Sequence, residues 1–550
     1  MSARARIALL AVFALVWFGT LGFRALVKPD EGRYAEIPRE MVQSGDWITP
    51  RLNGIKYFEK PPLQYWATAA AFAVFGESEW AARLWPGLTG FCGVLLAWYA
   101  GRRLFGERAA LLAAAVLGTS FLYLVIGHVA SLDMGLSFFL EAALLGFLLS
   151  QRSAAGSREE RRWMIAVWAA MALAMLSKGL IGLAFPVMTL FAYSVLQRDW
   201  KPWTRLHFGV GIPVFLLLGA PWFVAVSIAN PEFPRFFFVH EHFERFLTKE
   251  HGRYQPPWYF APILLLGLLP WTTLAVQALA RAWNVSTSRA WNERRFLLLW
   301  ACLIFLFFSA SSSKLPSYIL PVFPAVALLT GDALERIPQR RLFWHFVVVG
   351  ILVIGLSALL PRMPSLANPD EPEYAAMLAQ YRIWLVDALG ILGIGTFIAL
   401  WRNQVGRPFE ALLALGAAAF LFAEIALLGH AALGRWNSAH YIAGELKRDL
   451  SRGELRAGAP FYSVQMYEQT LPFYLRRTLT LVDYGDEFTF GLAQEPERSI
   501  RTMEEFKKRW RDEPEALAVM TANNYKRLEA EGLPMRVLAR DPSRVVVGKP

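Results

Sequence analysis

Pro29-Asp30-Glu31-Gly32-Arg33-Tyr34-Ala35-Glu36-Ile37-Pro38-Arg39-Glu40-Met41, followed by Lys56-Tyr57-Phe58-Glu59-Lys60-Pro61-Pro62, sets acids, bases and tyrosines between two long apolar runs. Charge held against a bilayer is costly and marks function. Within 31–42, Tyr34, Ile37, Met41 and Val42 recur at helical spacing and Arg33, Glu36, Arg39 and Glu40 fall elsewhere, the pattern of a short helix on a membrane surface. Pro38 should bend it or start a second turn. Headgroup binding would explain a generic charged loop, but two features argue against that reading here. Asp30 and Glu31 directly follow the first apolar run, where bare carboxylates repel an anionic surface. Lys60 precedes a rigid Pro-Pro that fixes its direction.

Outward from this stretch, composition defines the class. With 55% hydrophobic residues, 21 Trp and 40 Phe, the 550-residue chain is too apolar for a soluble protein. Apolar runs of membrane-spanning character cover 7–27, 84–101, 109–127, 134–149, 163–177, 180–196, 206–229, 258–280, 296–310, 317–330, 342–361, 384–401 and 409–430, thirteen in all. The first is about 20 residues long, follows Arg4 and Arg6, and has no cleavage motif behind it, so it reads as an uncleaved span. The 63–75 run is short and reads as interfacial or as an extension of the next helix. The formal charge of +12 does not imply nucleic acid, because the basic residues flank hydrophobic runs and suit anionic lipid. Cys92 and Cys302 both lie in apolar runs and offer no disulfide framework.

Loop charge orients the spans. Arg102/Arg103/Arg108, Arg152/Arg158/Arg161/Arg162, Arg198/Lys201/Arg205, Arg281/Arg289/Arg294/Arg295, Arg336/Arg340/Arg341 and Arg402/Arg407 fall in alternate loops, which an inside N-terminus places in the cytoplasm. The 28–83 loop, the 230–257 loop and everything after about residue 431 then lie outside. From 434 the composition shifts to short β-rich runs (461–466, 479–482, 517–520, 544–547) between polar helical segments. The expected plan is a polytopic α-helical membrane domain (1–433) with interfacial helices, and a small outer α/β domain (434–550).

Further candidates lie in the outer loops. In Phe236-Phe237-Phe238-Val239-His240-Glu241-His242-Phe243-Glu244-Arg245-Phe246 an aromatic face alternates with His, Glu and Arg, again the pattern of an interfacial helix. His-Glu-His is not the H-E-x-x-H pattern, so spacing does not favour a metal; a site assembled across loops, such as Glu59 with His240, is invisible to spacing. Asp133 either caps a helix or faces the same cavity as Asp30. Lys178, Lys314 and Tyr318 in Ser311-Ser312-Ser313-Lys314-Leu315-Pro316-Ser317-Tyr318 are also outward. Snorkelling would explain each cation alone. Together with Arg33, Lys60 and Arg245 they could hold phosphate. The sequon Asn284-Val285-Ser286 falls inside and is discounted. Ionisable residues gather at the outer ends of the spans, whereas a transporter would place them at the midplane.

The segments 30–41, Gly45-Asp46-Trp47, Tyr57-Phe58-Glu59-Lys60-Pro61-Pro62-Leu63-Gln64-Tyr65-Trp66 and Lys314-Leu315-Pro316-Ser317-Tyr318 resemble the lipid-linked-sugar glycosyltransferases of the GT-C class. The acidic pair after the first span is shared with protein O-mannosyltransferases. The fuller pattern looks most like the bacterial aminoarabinose transferases, which move 4-amino-4-deoxy-L-arabinose from undecaprenyl phosphate onto lipid A phosphates, a modification that confers polymyxin resistance. The resemblance implies a monomeric inner-membrane enzyme with its active site and C-terminal domain in the periplasm, a polyprenyl-phosphate sugar donor and a lipid A acceptor. Asp30, Glu31 and Asp133 would then be catalytic, and Arg33, Tyr34, Tyr57, Lys60, Lys178, Arg245, Lys314 and Tyr318 would bind substrate. With an anionic acceptor, Asp30 is expected to orient the sugar rather than act as a base. No metal is expected for the chemistry, and Glu59 with His240 is the pair on which a structural divalent ion would be sought.

Overall fold

Each of the thirteen apolar runs contains helix, but several are cut short or broken rather than forming a straight span. The computed structural model describes residues 3–244, 255–283, 291–368, 371–453, 455–456 and 458–550. Among them six helices are long and apolar enough to cross a membrane, or eight if two bent pairs each count as one span. The first run stops early: α1 (Ala3–Gly19) ends before Thr20, and Arg24 turns inward to donate from its guanidinium to the His128 carbonyl at 2.8 Å. The run 109–127 breaks at Ser120 into α5 (Glu107–Thr119) and α6 (Phe121–Gly127), bent by 64°. The run 258–280 breaks before Thr272, where Pro257–Gly267 and Thr272–Trp283 meet at 117°. The two breaks support each other, since Phe121 N donates to Leu269 O and Trp271 Nε1 to Thr119 Oγ1.

The surface segments form the floor of the site. α2 (Asp30–Ser44) runs through Pro38 as one helix, buried over nearly its whole length, and ends at Gly45, whose φ of 73° closes the turn. Asn53-Gly54 turns a small antiparallel hairpin between β1 (Arg51–Leu52) and β2 (Ile55–Lys56), with both turn residues at positive φ. The 63–75 run is a separate helix, α3 (Leu63–Phe75), parted from α4 (Glu79–Phe105) by Gly76. Behind them α7 (Leu132–Arg152) is buried along almost its whole length and flanked by α8 (Arg158–Lys178). α9 (Ile181–Gln197), the short α10 (Lys201–Thr204) and α11 (Phe208–Ala229) follow. Residues Arg235–Glu244 wind as a π-helix rather than the regular amphipathic helix expected there.

The C-terminal part holds a six-stranded sheet of order β5-β4-β3-β6-β8-β7, built from β3 (Phe461–Val464), β4 (Thr480–Val482), β5 (Ser499–Ile500), β6 (Leu517–Met520), β7 (Arg536–Arg540) and β8 (Val545–Gly548). Strands β5, β4, β3 and β6 are parallel, while β8 and β7 pair antiparallel. The carboxyl ends of β3 and β4 lead into 465–469 and 483–488, the loops that rest on α2, in keeping with the rule that open α/β sheets place ligand sites at strand carboxyl ends. Contact is close. A Cβ on Gly32 would lie 2.5 Å from the Gln469 carbonyl carbon, so only glycine admits this loop. Asn53 exchanges two hydrogen bonds of 2.7 Å with the Leu479 backbone, and Arg51 binds Glu495 at 2.9 Å. Fully buried Arg544 joins Glu468 and Asp541 and donates to the Arg435 and Ser438 carbonyls, fastening the sheet to the end of the last membrane helix.

Candidate active site

One residue step of the helix turns the two acids of the Asp-Glu pair to different faces. Asp30, Arg33 and Tyr34 stand at i, i+3 and i+4 and share one face of α2, while Glu31 points about 100° away. Glu31 is buried against Arg83 of α4 through bonds of 2.6 and 2.8 Å, and accepts from Ala130 N at 3.0 Å and Val27 N at 2.9 Å. Burial alone would push its carboxyl up, but Arg83 outweighs it and holds the group down to about 2. Glu31 is therefore an ionised carboxylate that clamps the start of α2. It binds the start of α2 to the 130–133 turn that leads to Asp133.

On the opposite face Arg33 is held between carboxylates, 3.1 Å from Asp30 Oδ1 and 2.6 Å from Glu487 Oε2. Its guanidinium carbon lies 5.9 Å from the ring centres of both Tyr34 and Tyr57. Tyr34, Ile37, Met41, Tyr57, Tyr65, Leu132 and Tyr467 form one buried cluster from α2, α3, α7 and the C-terminal sheet. The hydroxyls of Tyr57, Tyr65 and Tyr467 are buried with no hydrogen-bond partner among the described residues. Burial raises the pKa of Tyr34, Tyr57 and Tyr467, so they stay neutral donors. Burial likewise raises the Glu487 carboxyl despite the opposing pull of Arg33. Carboxylates beside unpaired phenols suit a polyhydroxylated ligand bearing a cationic amine.

Next to this lies a cationic half. Lys178 ion-pairs with Asp133, and its ammonium stands 4.2 Å above the Tyr318 ring. Asp30 lies within electrostatic reach of Lys178. Asp133 is not the helix cap, a position held by Ser131. Lys60 donates to the Glu59 carbonyl at 2.7 Å and approaches its carboxylate at 3.8 Å. Lys178, with Asp133 and Tyr318 beside it, and Lys60 on the loop before α3 are cations of the kind that can receive a phosphate and offset charge developing on it.

Other expected residues are placed differently. Lys314 is buried and donates to the Gln255 carbonyl at 2.9 Å and to the Ser311 carbonyl, so it braces a loop. Arg245 lies outside the described residues. His240 stacks on Phe236 with ring centres 5.3 Å apart, Phe236 on Phe490 at 3.9 Å, and Phe58 meets Phe490 at 6.1 Å, which places Phe58, the neighbour of Glu59 in the chain, on one aromatic wall with His240. No group of three or more His, Cys, Asp or Glu able to hold a metal occurs among the described residues. Sequence reading missed Glu487, Arg83, Tyr65 and Tyr467. Arg83 offered a signal, as a charge at the mouth of an apolar run; Glu487 offered none, because the fold alone brings it to Arg33.

Helix bundle, surface helices and sheet-edged site together define a lipid-linked-sugar glycosyltransferase of the GT-C class. The dolichyl-phosphate-mannose-protein mannosyltransferase family matches residues 2–237, and the aminoarabinose transferase C-terminal domain family matches 449–549. The chain is 34% identical over 433 residues to the undecaprenyl phosphate-alpha-4-amino-4-deoxy-L-arabinose arabinosyl transferase of Edwardsiella ictaluri, covering 78% of this chain and 73% of that one. To the Pseudomonas aeruginosa (strain UCBPP-PA14) protein it is 32% identical over 517 residues, covering 90% and 88%. The crystal structure of ArnT from Cupriavidus metallidurans bound to undecaprenyl phosphate superposes with a TM-score of 0.93 at 39% identity, covering 100% of this chain and 98% of that one. An Archaeoglobus fulgidus oligosaccharyltransferase, at 12% identity and a TM-score of 0.52, shares the fold alone. The chain belongs to the undecaprenyl phosphate-aminoarabinose arabinosyl transferase family.

Proposed function

We infer that the protein transfers 4-amino-4-deoxy-L-arabinose from undecaprenyl phosphate to a lipid A phosphate at the outer face of the bacterial inner membrane. The observation that carries this reading is the pairing of an amine-compatible carboxylate site (Asp30, Glu487, Tyr34, Tyr57) with a phosphate-compatible cationic site (Lys60, Lys178) on adjoining elements. Family membership supports it. The Arg-rich alternate loops favour an inside N-terminus, and hence a periplasmic site and a periplasmic domain from 434 to 550 beyond a membrane domain of 1–433. The enzyme acts as a monomer.

The acceptor phosphate is already ionised, so it needs no general base. Its oxygen attacks the anomeric carbon, the bond from that carbon to the carrier phosphate breaks, and the electron pair leaves on the carrier oxygen. Lys60 and Lys178 offset the resulting negative charge, with Arg245 as a further candidate from its loop. Asp30 pairs with the sugar ammonium or the oxocarbenium-like transition state, and Arg33 sets its direction. Two lysines suffice for a monophosphate leaving group, so the chemistry requires no metal; a divalent ion at Glu59 and His240 would be structural.

A protein O-mannosyltransferase would share only the N-terminal match, whereas the C-terminal family match covers the loop that supplies Glu487. Mass spectrometry of lipid A from cells with and without the gene tests the reading. An aminopentose increment on phosphate is expected; unchanged lipid A with newly glycosylated protein would replace it with the second reading.

A further inference from the structure

Asp133, Ser137 and Glu141 recur every four residues on α7 and so share one face, drifting by about 40° per step. Asp133 meets Lys178 at the outer end, and the other two run inward from it. Ser137 Oγ and both carboxyl oxygens of Glu141 are enclosed, and none has a hydrogen-bond partner among the described residues. The same holds for Trp85 Nε1, which faces α7 across Gly135, where a Cβ would come within 3.1 Å of it. Deeper in, Gly93 of α4 leaves the room that Tyr123 and Glu141 use: a Cβ there would collide with the Tyr123 hydroxyl and sit 2.9 Å from Glu141 Oε2. Tyr123 donates its proton to the Gly90 carbonyl at 2.9 Å, which leaves its oxygen free to accept.

A carboxyl buried without partners is expensive, and an apolar side chain of similar size would be the stabilising choice. A row of unmatched polar atoms on one helix face shares one remedy, because a buried water makes two to four hydrogen bonds to groups of this kind. We propose that α4, α7 and Tyr123 enclose a file of ordered waters beneath the Asp133–Lys178 pair, and that Glu141 is a positioning residue that holds Asp133, about 12 Å away along α7, through those waters and Ser137. In this arrangement Ser137 relays the hydrogen bonds from Glu141 to Asp133, and the Asp133 carboxylate stays turned toward Lys178. The kinetic part rests on the transferase reading; the water site does not.

Brief X-ray hydroxyl-radical labelling of the full chain in nanodiscs reads the water directly. Tyr123 should be oxidised despite its burial, while the equally buried Phe296 should not, and Glu141→Leu should abolish the Tyr123 signal. Glu141→Leu should melt no lower than the wild type, yet turn over donor at least tenfold more slowly with KM within twofold. Glu141→Gln, which still bonds water, should restore both the labelling and most of kcat. Tyr123 labelled no more than Phe296 would overturn the site. Equal kcat in Glu141→Leu, or kcat and melting temperature falling together, would overturn the positioning role. A wild type that transfers no aminoarabinose would instead defeat the functional reading, while the labelling would still decide the water site.

Discussion

Arg33 Nε lies 2.6 Å from Glu487 Oε2, so the cation of the N-terminal surface helix finds its carboxylate partner in the loop that follows β4 of the C-terminal domain. The same guanidinium reaches Asp30 at 3.1 Å. The site thus closes only when both ends of the chain have folded together.

Glu487→Gln should keep the fold and weaken binding of the amino sugar, since one charge-assisted contact of about 1.5–3 kcal/mol is lost. We expect KM for the donor to rise about 10- to 100-fold, measured with purified enzyme and a short-chain polyprenyl donor. An unchanged KM would remove Glu487 from the sugar site.

Asp30→Asn removes the charge that faces the developing positive centre while keeping the side chain's shape. Turnover should fall by about 10²–10³ with the melting temperature intact. Asp133→Asn should cost less. Full activity of Asp30→Asn at equal protein level would rule out its assigned role.

Glu31→Gln and Arg83→Leu each leave one partner of a buried ion pair uncompensated and should destabilise the fold by about 3–5 kcal/mol, seen as a lower melting temperature and poor yield. The pH dependence follows from the sign of the shift. The Glu31 carboxyl titrates at about 2 in the fold, below its ordinary value, so its contribution is complete above about pH 5 and is lost as pH falls toward 2. That amounts to about 3 kcal/mol. Melting curves should therefore lose this contribution in acid in the wild type, and Glu31→Gln should abolish that part of the decline.

Gly32→Ala places a Cβ 2.5 Å from the Gln469 backbone, which cannot yield as a flexible side chain could. The 465–469 loop should lift from α2, separating Arg33 from Glu487. Activity should fall at least tenfold, and proteolysis between the membrane helices and the sheet should become faster. Normal activity would mean that the contact between α2 and this loop is dispensable.

A chelator is expected to leave turnover within about twofold, because Lys60 and Lys178 carry the charge of the leaving phosphate. Loss of activity restored by one specific divalent ion would assign the ion a catalytic role and direct attention to Glu59 and His240.

What the sequence by itself determined is whatever depends on neighbours along the chain. The apolar runs had to become helices, because a backbone in lipid must satisfy its own hydrogen bonds. The spacing of Asp30, Arg33 and Tyr34 put them on one helical face, and the motifs around Tyr57 and Lys60 pointed to the same loop. Asn53-Gly54 carried a hairpin signal that went unread. Only the tertiary structure separated Asp30 from Glu31, because their difference lies in what packs against each side of α2: Arg83 on one, the C-terminal sheet on the other. It tied Lys314 to the Gln255 carbonyl, paired Asp133 with Lys178 and bent the two spans at Ser120 and before Thr272. These are contacts between residues far apart in the chain, and local spacing carries no information about which distant side chain will arrive.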